Sequence, residues 1–208
     1  MPTYYWDPSV ARFRDETGLF VANEVVRGYV DASLRATGSV VEPLIELTLS
    51  GTLTPDELED RIREELKREY LRNYYLGIGG RAQMTQADYG SIGGDLAYQY
   101  RKLSGFIDEI ASGELSESQI RSRMRMYVNS ARQAFEKAKR KSKIVAGYTE
   151  VRWVVNPAVE NCEDCLAFEA LGWQSIDSDP FDGCVPGSGC SVCLTNCACW
   201  LEYRVGAS

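Results

Sequence analysis

No histidine occurs in this chain of 208 residues. That absence excludes the usual general base, the Ser-His and Cys-His nucleophile pairs, and every metal site that includes an imidazole ligand. The chain also lacks an apolar run of the roughly 18 residues that a membrane span requires. It begins without the basic and apolar segments of an export signal, so we expect a protein without a membrane span, kept in a reducing compartment.

Cysteine is absent from the first 161 residues, and all seven cysteines fall in the last 47. A Cys-x2-Cys pair, followed after a long loop by further cysteines, has the spacing of a tetrahedral thiolate zinc site. Because residues 156–199 hold few aliphatic side chains, we expect a structural Zn²⁺, which binds with about 10 kcal/mol or more, to stabilise them. Disulfides are the alternative, although an odd number of cysteines leaves at least one thiol free.

Charge is distributed unevenly along the chain. Residues 147–208 carry nine acidic and two basic side chains, which accounts for the whole formal net charge of −7. The cysteine-rich part is therefore acidic even before its thiols ionise, and it is poorly suited to gripping phosphates.

Apolar periodicity and capping signals predict a mainly α fold. We expect an antiparallel helical bundle, a short N-terminal β-hairpin and a small C-terminal cysteine-rich zinc-binding β module. The predicted units are a hairpin arm at 1–22, the bundle at 23–146 and the zinc module at 147–208.

Individual elements are predicted from local signals. The hairpin pairs residues 10–14 with 19–21, and the first helix starts at Asn23, with Gly38 able to end or bend it. Capping boxes start helices after Thr54 and Ser116, and the second of these helices continues through Phe135 into a basic run. The remaining predicted elements are a helix at 86–111 capped by Thr85 and two strands, at 150–155 and 200–204, that are able to pair.

Two segments of the helical part resemble each other at an offset of 62 residues. Residues 43–54 and 105–116 both read as the end of an apolar helix, a Ser-Gly stop, a leucine and a hydroxyl cap. Either a helical hairpin has been duplicated, or two well-capped helix junctions look alike.

The basic run at 137–143 has two interpretations. Lysines and arginines near a helix C-terminus suit the helix dipole and usually form a solvated face. The alternative is contact with nucleic acid or an acidic partner. The basic positions scatter around the helix, which weakens the nucleic-acid interpretation. They are Lys137, Lys139, Arg140, Lys141 and Lys143.

The cysteine-rich segment resembles a known family. Trp153-Val-Val-Asn-Pro, Cys162-x2-Cys165, an acidic Gly/Pro-rich loop and Asn196-Cys-Ala-Cys-Trp-Leu-Glu-Tyr203 are similar to the C-terminal zinc module of tailed-phage minor head proteins. These are the head morphogenesis proteins similar to the phage Mu F protein and the minor head protein of phage SPP1. The resemblance is clearest over residues 150–204, about a quarter of the chain.

That resemblance implies a set of metal ligands. The family's histidine position falls on Leu194, which cannot bind metal, and Cys193 is the natural substitute. Family members often have serine at the position of Cys199, which implies that this cysteine is dispensable, although it is the alternative to Cys193 as a ligand. The implied set is Cys162, Cys165, Cys193 and Cys197, while Cys184 and Cys190 are spare thiols, a disulfide or part of a second metal site.

By this resemblance the protein is a non-enzymatic, structural component of the virion head. It would be made in the bacterial host cytoplasm, be present in several copies and contact the portal or the major capsid protein. Contact with packaged DNA through the basic run at 137–143 is a further expectation. Aromatic side chains are the expected interface, with completion of the bundle core as the alternative for Tyr70 and Tyr74. The interface residues are Tyr4, Tyr5, Trp6, Tyr70, Tyr74 and Tyr75.

Two other functions fit parts of the sequence. A zinc-ribbon regulator that binds nucleic acid would explain the Cys-x2-Cys pair and the basic run, but the acidity of the module opposes it. A thiol redox enzyme would use Cys162 and Cys165, yet such a motif belongs at a helix N-terminus within a βαβ unit. A helical bundle precedes the motif here.

Overall fold

A computed structural model describes residues 3–7, 9, 10 and 12–206. Three short strands open it, β1 (Tyr5–Asp7), β2 (Arg12–Arg14) and β3 (Phe20–Val21), and they form an antiparallel sheet in that order. The pairing of β2 with β3 confirms the predicted hairpin, whereas β1 was not predicted. Ala11 of the predicted hairpin lies outside the described residues. So do residues 1–2 of the predicted arm at 1–22 and residues 207–208 of the predicted module at 147–208.

This small sheet packs on the helices. Trp6 and Phe13, which face each other across β1 and β2, are both buried. The Trp6 amide donates to the carbonyl oxygen of Gly79 at 3.3 Å. Gly79 has a φ of 98°, and a Cβ at this position would lie 2.4 Å from the Cβ of Trp6. The contact therefore requires glycine at residue 79, both for its left-handed backbone and for its lack of a side chain.

Five helices follow and form the bundle. They are α1 (Asn23–Leu49), α2 (Pro55–Ile78), α3 (Gln86–Ala111), α4 (Glu117–Asn129) and α5 (Arg132–Val145). The predicted starts after Thr54, Thr85 and Ser116 are confirmed, and each of these residues forms a capping box. Helix α1 runs unbroken through Gly38, so a single glycine, which costs about 1 kcal/mol relative to alanine, does not end it.

The helix expected to run from Ser116 through Phe135 is instead divided into α4 and α5. The division falls at Ser130, which is fully buried. Its hydroxyl donates to the carbonyl oxygen of Tyr127 at 2.6 Å and accepts a hydrogen bond from the Tyr70 hydroxyl at 2.9 Å. A serine side chain that bonds to the backbone of the preceding turn competes with the helical ladder. The partner that holds this serine lies on α2, so the break was not visible in local sequence.

Helix α2 lies at the centre of the bundle and contacts α1, α3, α4 and α5. Its closest approach is to α5, where a Cβ on Gly77 would lie 2.3 Å from the carbonyl oxygen of Phe135. The absence of a side chain at residue 77 thus sets how closely the two helices pack. The largest fully buried side chains of the bundle are Tyr70, Phe106, Ile45, Leu58, Ile62, Leu66, Leu103 and Met124.

The two similar segments form two similar junctions. In each, a serine ends the first helix, a glycine with a φ of 73° follows, and a hydroxyl residue caps the next helix. Ser50 and Ser112 occupy the first position, and Gly51 and Gly113 the second. The two segments therefore share the same junction geometry as well as a similar sequence.

The C-terminal part forms a second, smaller core. Strands β4 (Glu150–Val154), β5 (Gln174–Ser175) and β6 (Trp200–Arg204) form an antiparallel sheet in the order β5-β4-β6, and α6 (Glu163–Ala170) packs against β4. The predicted pairing of the strands at 150–155 and 200–204 is confirmed, with residues 150–154 in the ladder. Trp153, Phe168 and Phe181 pack with ring centroids 4.8 to 5.6 Å apart. Aromatic side chains thus supply much of this core, in a part of the chain that has few aliphatic ones.

Candidate metal centre

Two short structural elements bring the cysteines together. Cys162 immediately precedes α6, and Cys165 lies in its first turn. A 3₁₀ turn at Leu194–Asn196 is flanked by Cys193 and Cys197. The turn places Leu194 at a φ of 52°, and Cys199 follows directly before β6.

The sulfur atoms of five cysteines form one cluster. The Sγ of Cys165 lies 3.8 Å from that of Cys193 and 3.6 Å from that of Cys197. A tetrahedral zinc site with Zn–S bonds of about 2.3 Å has sulfur atoms roughly 3.8 Å apart. The spacing is therefore suited to a metal ion coordinated by several thiolates, and these cysteines can hold one.

The cluster consists of two triads that share Cys165. Cys162, Cys165 and Cys193 form one triad and Cys165, Cys197 and Cys199 the other, with the sulfur atoms of each triad within 4.8 Å of one another. The predicted ligand set takes all of the first triad and Cys197 from the second. Cys199 belongs to the second triad and is buried, so the geometry keeps it as the alternative.

Burial and mutual hydrogen bonding shift the pKa values of the thiols of the second triad in different directions. The hydrogen bond between Cys197 and Cys199 lowers the pKa of the Cys199 thiol to about 6, while it raises that of Cys197, as burial does too. Burial also raises the pKa of Cys165. A divalent cation bound by these sulfurs would reverse the effect for Cys165 and Cys197, because a coordinating thiol is deprotonated.

A polar contact beside the cluster joins the start of α6 to the loop that carries Cys193. The carboxylate of Asp164 accepts a hydrogen bond from the amide of Val192 at 2.8 Å, and Ser191 Oγ lies 3.2 Å from the sulfur of Cys193. Asp164 directly precedes Cys165 and Ser191 lies two residues before Cys193, yet the sequence did not single out either residue. Groups that orient metal ligands in this way influence affinity as the ligands do.

The cysteine-bearing loop is attached to the helical bundle. The hydroxyl of Thr195 donates to the carbonyl oxygen of Met126 at 2.7 Å, and the amide of Asn129 donates to Asn196 at 2.9 Å. Both contacts involve residues between Cys193 and Cys197. The loop that supplies these two cysteines is thus held directly against α4.

Cys184 and Cys190 form a disulfide with a Cα–Cα distance of 5.9 Å. Of the three states left open for these residues, the structure shows this one. The bond closes a Gly/Pro-rich loop, in which the hydroxyl of Ser188 donates to the carbonyl oxygen of Val185 at 2.7 Å.

The basic run at 137–143 makes contacts within the chain. Lys137 pairs with Asp95 at 2.8 Å, Arg140 with Asp179 at 2.8 Å and Lys141 with Asp88 at 2.6 Å. Lys139 and Lys143 are buried. The run therefore does not form the solvated face expected of it, and most of its charge is already compensated.

The six aromatic residues predicted as an interface fall into two groups. Trp6, Tyr70 and Tyr74 are buried in the bundle core. There the Tyr70 hydroxyl donates a hydrogen bond to Ser130, and the Tyr74 hydroxyl donates one to Asp88. Trp6 was wrongly expected at the surface, because the sheet face that carries it packs inward. For Tyr70 and Tyr74 the alternative, completion of the bundle core, is confirmed. Tyr5 is exposed, and Tyr4 and Tyr75 are half-buried.

Comparison with known proteins finds no matching family model, no matching curated protein and no matching solved structure. The resemblance to phage minor head proteins therefore depends on the motif residues alone. Among the described residues, none of the helices combines the length and apolar character needed to cross a membrane.

Proposed function

We propose that this chain is a non-enzymatic structural protein whose C-terminal module is fixed by one Zn²⁺ ion. The observation that carries the proposal is the sulfur cluster, in which Cys165 lies 3.8 and 3.6 Å from cysteines 28 and 32 residues away in the sequence. We assign Cys162, Cys165, Cys193 and Cys197 as ligands, with Cys199 as the alternative to Cys193. Four thiolates close the coordination sphere of zinc, which suits a structural site rather than a catalytic one.

The attachment of the cluster to the bundle supports a mechanical role for the metal. The loop between Cys193 and Cys197 binds α4 through Thr195 and Asn196. A metal that joins this loop to the start of α6 would therefore fix the orientation of the module relative to the helices. No reacting group is needed for such a role, and the chain has no histidine to supply the most frequent one.

We further propose, from the resemblance of residues 150–204, that the protein is a minor head protein of a tailed phage. It would occur in several copies in the virion head and contact the portal or the major capsid protein. The exposed aromatic side chains of the N-terminal sheet and its surroundings are the best contact candidates. Tyr5 and Phe20 are 38% and 45% exposed, and aromatic side chains bury much surface on binding at a small entropic cost.

Incorporation into phage heads tests this role. Deleting residues 1–21 would remove the core residues Trp6 and Phe13, so the better variant is Tyr5→Ala combined with Phe20→Ala. We expect this variant to fold, as judged by circular dichroism, but to be lost from purified heads. The matched control is Tyr98→Ala, an exposed aromatic residue on α3. Normal incorporation of the double variant would contradict the proposed contact surface.

A further inference from the structure

A cavity of about 310 Å³ lies where the start of α1, the end of α5 and the C-terminal sheet meet. Four basic and two acidic side chains line it. Three of the basic ones already pair with carboxylates: Arg27 with Glu24, Lys139 with Glu136 and Arg204 with Glu150. The acidic residues are Glu24 and Glu202. The basic ones are Arg27, Lys139, Lys143 and Arg204.

Two of these basic residues are buried lysines with different surroundings. The ammonium of Lys139 donates to the carbonyl oxygen of Leu201 at 2.6 Å and lies 3.6 Å from the Glu136 carboxylate. Lys143 is only 5% exposed, and among the described residues its ammonium contacts neither a hydrogen-bond acceptor nor a carboxylate. Its contacts are aromatic rings, with centroids 3.4 Å away for Trp6 and 4.6 Å for Tyr148.

Ring contacts of this kind compensate a buried ammonium only in part. A cation is attracted to an aromatic face more weakly than to a carboxylate, whereas burying an ammonium without an anionic partner is costly. An anion next to Lys143 would provide the electrostatic stabilisation of the ammonium that the aromatic rings do not provide.

The first turn of α1 faces the same cavity. Ala22 occupies the N-cap position and provides no side-chain hydrogen bond, and Asn23 lines the cavity. The first N–H groups of a helix have no partners within the helix, and together with the helix dipole they attract anions. Helix α1 is 27 residues long, so its dipole is fully developed.

We propose that this cavity binds a small oxyanion, a phosphate or a carboxylate, between the Lys143 ammonium and the first turn of α1. Arg27 and Arg204 flank the site, and their guanidinium groups already stack on Trp200 and Trp173. Because the lining comes from both the bundle and the C-terminal sheet, the bound anion would stabilise the contact between them. The anion would then raise the stability of the whole chain through its preference for the folded state.

The test is titration of the full chain at pH 6, where the Lys143 ammonium is charged, with inorganic phosphate and, separately, with acetate, at constant ionic strength in chloride. We expect saturable binding of one anion per chain by calorimetry, with a concentration-dependent rise in unfolding temperature. Lys143→Met should weaken this binding at least tenfold. It removes a buried charge, so the variant should fold, and circular dichroism checks that it does.

Lys102→Met is the matched control, because Lys102 is also close to an aromatic ring, 5.8 Å from Tyr98, but is exposed and lies outside this cavity. It should bind the anion as the unchanged protein does. Binding of phosphate alone would identify a phosphoryl site, and binding of acetate a carboxylate site. The proposal is overturned if neither anion saturates, or if Lys143→Met binds as tightly as the unchanged chain.

Discussion

The hydroxyl of Thr195 donates a hydrogen bond to the carbonyl oxygen of Met126, with 2.7 Å between the two oxygen atoms. Thr195 lies in the 3₁₀ turn between Cys193 and Cys197, and Met126 lies on α4. The loop that presents two candidate ligands is thus fixed to the bundle at its midpoint. This contact links the geometry of the cysteine cluster to the position of the whole module.

Thr195→Val should loosen the module from the bundle. The substitution removes one of two hydrogen bonds to the Met126 carbonyl oxygen, which keeps the amide of Ser130 as a donor, so the loss is that of one part-buried hydrogen bond, about 0.5–1.5 kcal/mol. Hydrogen–deuterium exchange should become faster in residues 190–199 and in α4, while α2 and α3 remain protected. Thr52→Val, in an exposed loop, serves as the control. Unchanged exchange in the cysteine loop would show that this hydrogen bond does not hold it.

Serine substitutions separate the two candidate ligands. Cys165→Ser should be the most damaging, because Cys165 belongs to both triads. Cys193→Ser should lose most of the bound zinc and lower the unfolding temperature, whereas Cys199→Ser should retain the metal. Zinc content and thermal unfolding of each variant provide the measurement. If Cys199→Ser loses the metal and Cys193→Ser keeps it, the ligand set includes Cys199 instead.

The aromatic core of the module should contribute stability apart from the metal. Phe181 is 1% exposed and packs against Trp153 and Phe168. Phe181→Ala should cost about 3–5 kcal/mol in the free energy of unfolding, the usual range for a buried phenylalanine. Val192→Ala, at a site 63% exposed, should change it by less than about 0.5 kcal/mol. Equal effects of the two variants would refute a packed core around Phe181.

Lys143 should make the stability of the protein depend on pH. Burial, reinforced by the nearby charge of Lys139, lowers the pKa of Lys143 from 10.5 to about 7. Between these two values the unfolded chain holds a proton that the folded chain has released. The folded state therefore loses stability as the pH falls from about 10 to 7, by at most about 1.4 kcal/mol per pH unit.

The measurement compares the free energies of unfolding of the unchanged chain and Lys143→Met at pH 7.5 and 9.5, in chloride buffers without phosphate. The unchanged chain should gain stability relative to the variant at the higher pH. Lys102→Met should follow the unchanged chain. Parallel behaviour of all three proteins would mean that Lys143 titrates normally.

Local signals in the sequence predicted most of the helical part. The capping boxes at Thr54 and Ser116 fixed two helix starts because they satisfy backbone groups within four residues, and no distant partner is needed. The break at Ser130 escaped prediction, since it depends on Tyr70, which lies 60 residues away in the sequence. Trp6 was expected at the surface because its burial also depends on a residue far away in the sequence, Gly79.

The sequence predicted which residues form the candidate metal centre but not how their sulfur atoms are arranged. The spacing of Cys162 and Cys165 indicated a thiolate site, and the structure brings both into one cluster with Cys193, Cys197 and Cys199. Spacing could not show that the cluster would form two triads, since that depends on the turn at Leu194–Asn196. The Lys143 cavity had no sequence signal, because its walls come from α1, α5 and β6.

Native mass spectrometry of the full chain, with elemental analysis, tests the structural-zinc account most directly. We expect one zinc ion per chain, and removal of the ion by a chelator should increase exchange in residues 156–199, which include α6, while α1 to α5 stay protected. A protein that contains no metal, with Cys162 and Cys165 in disulfides and residues 156–199 fully ordered, would contradict it.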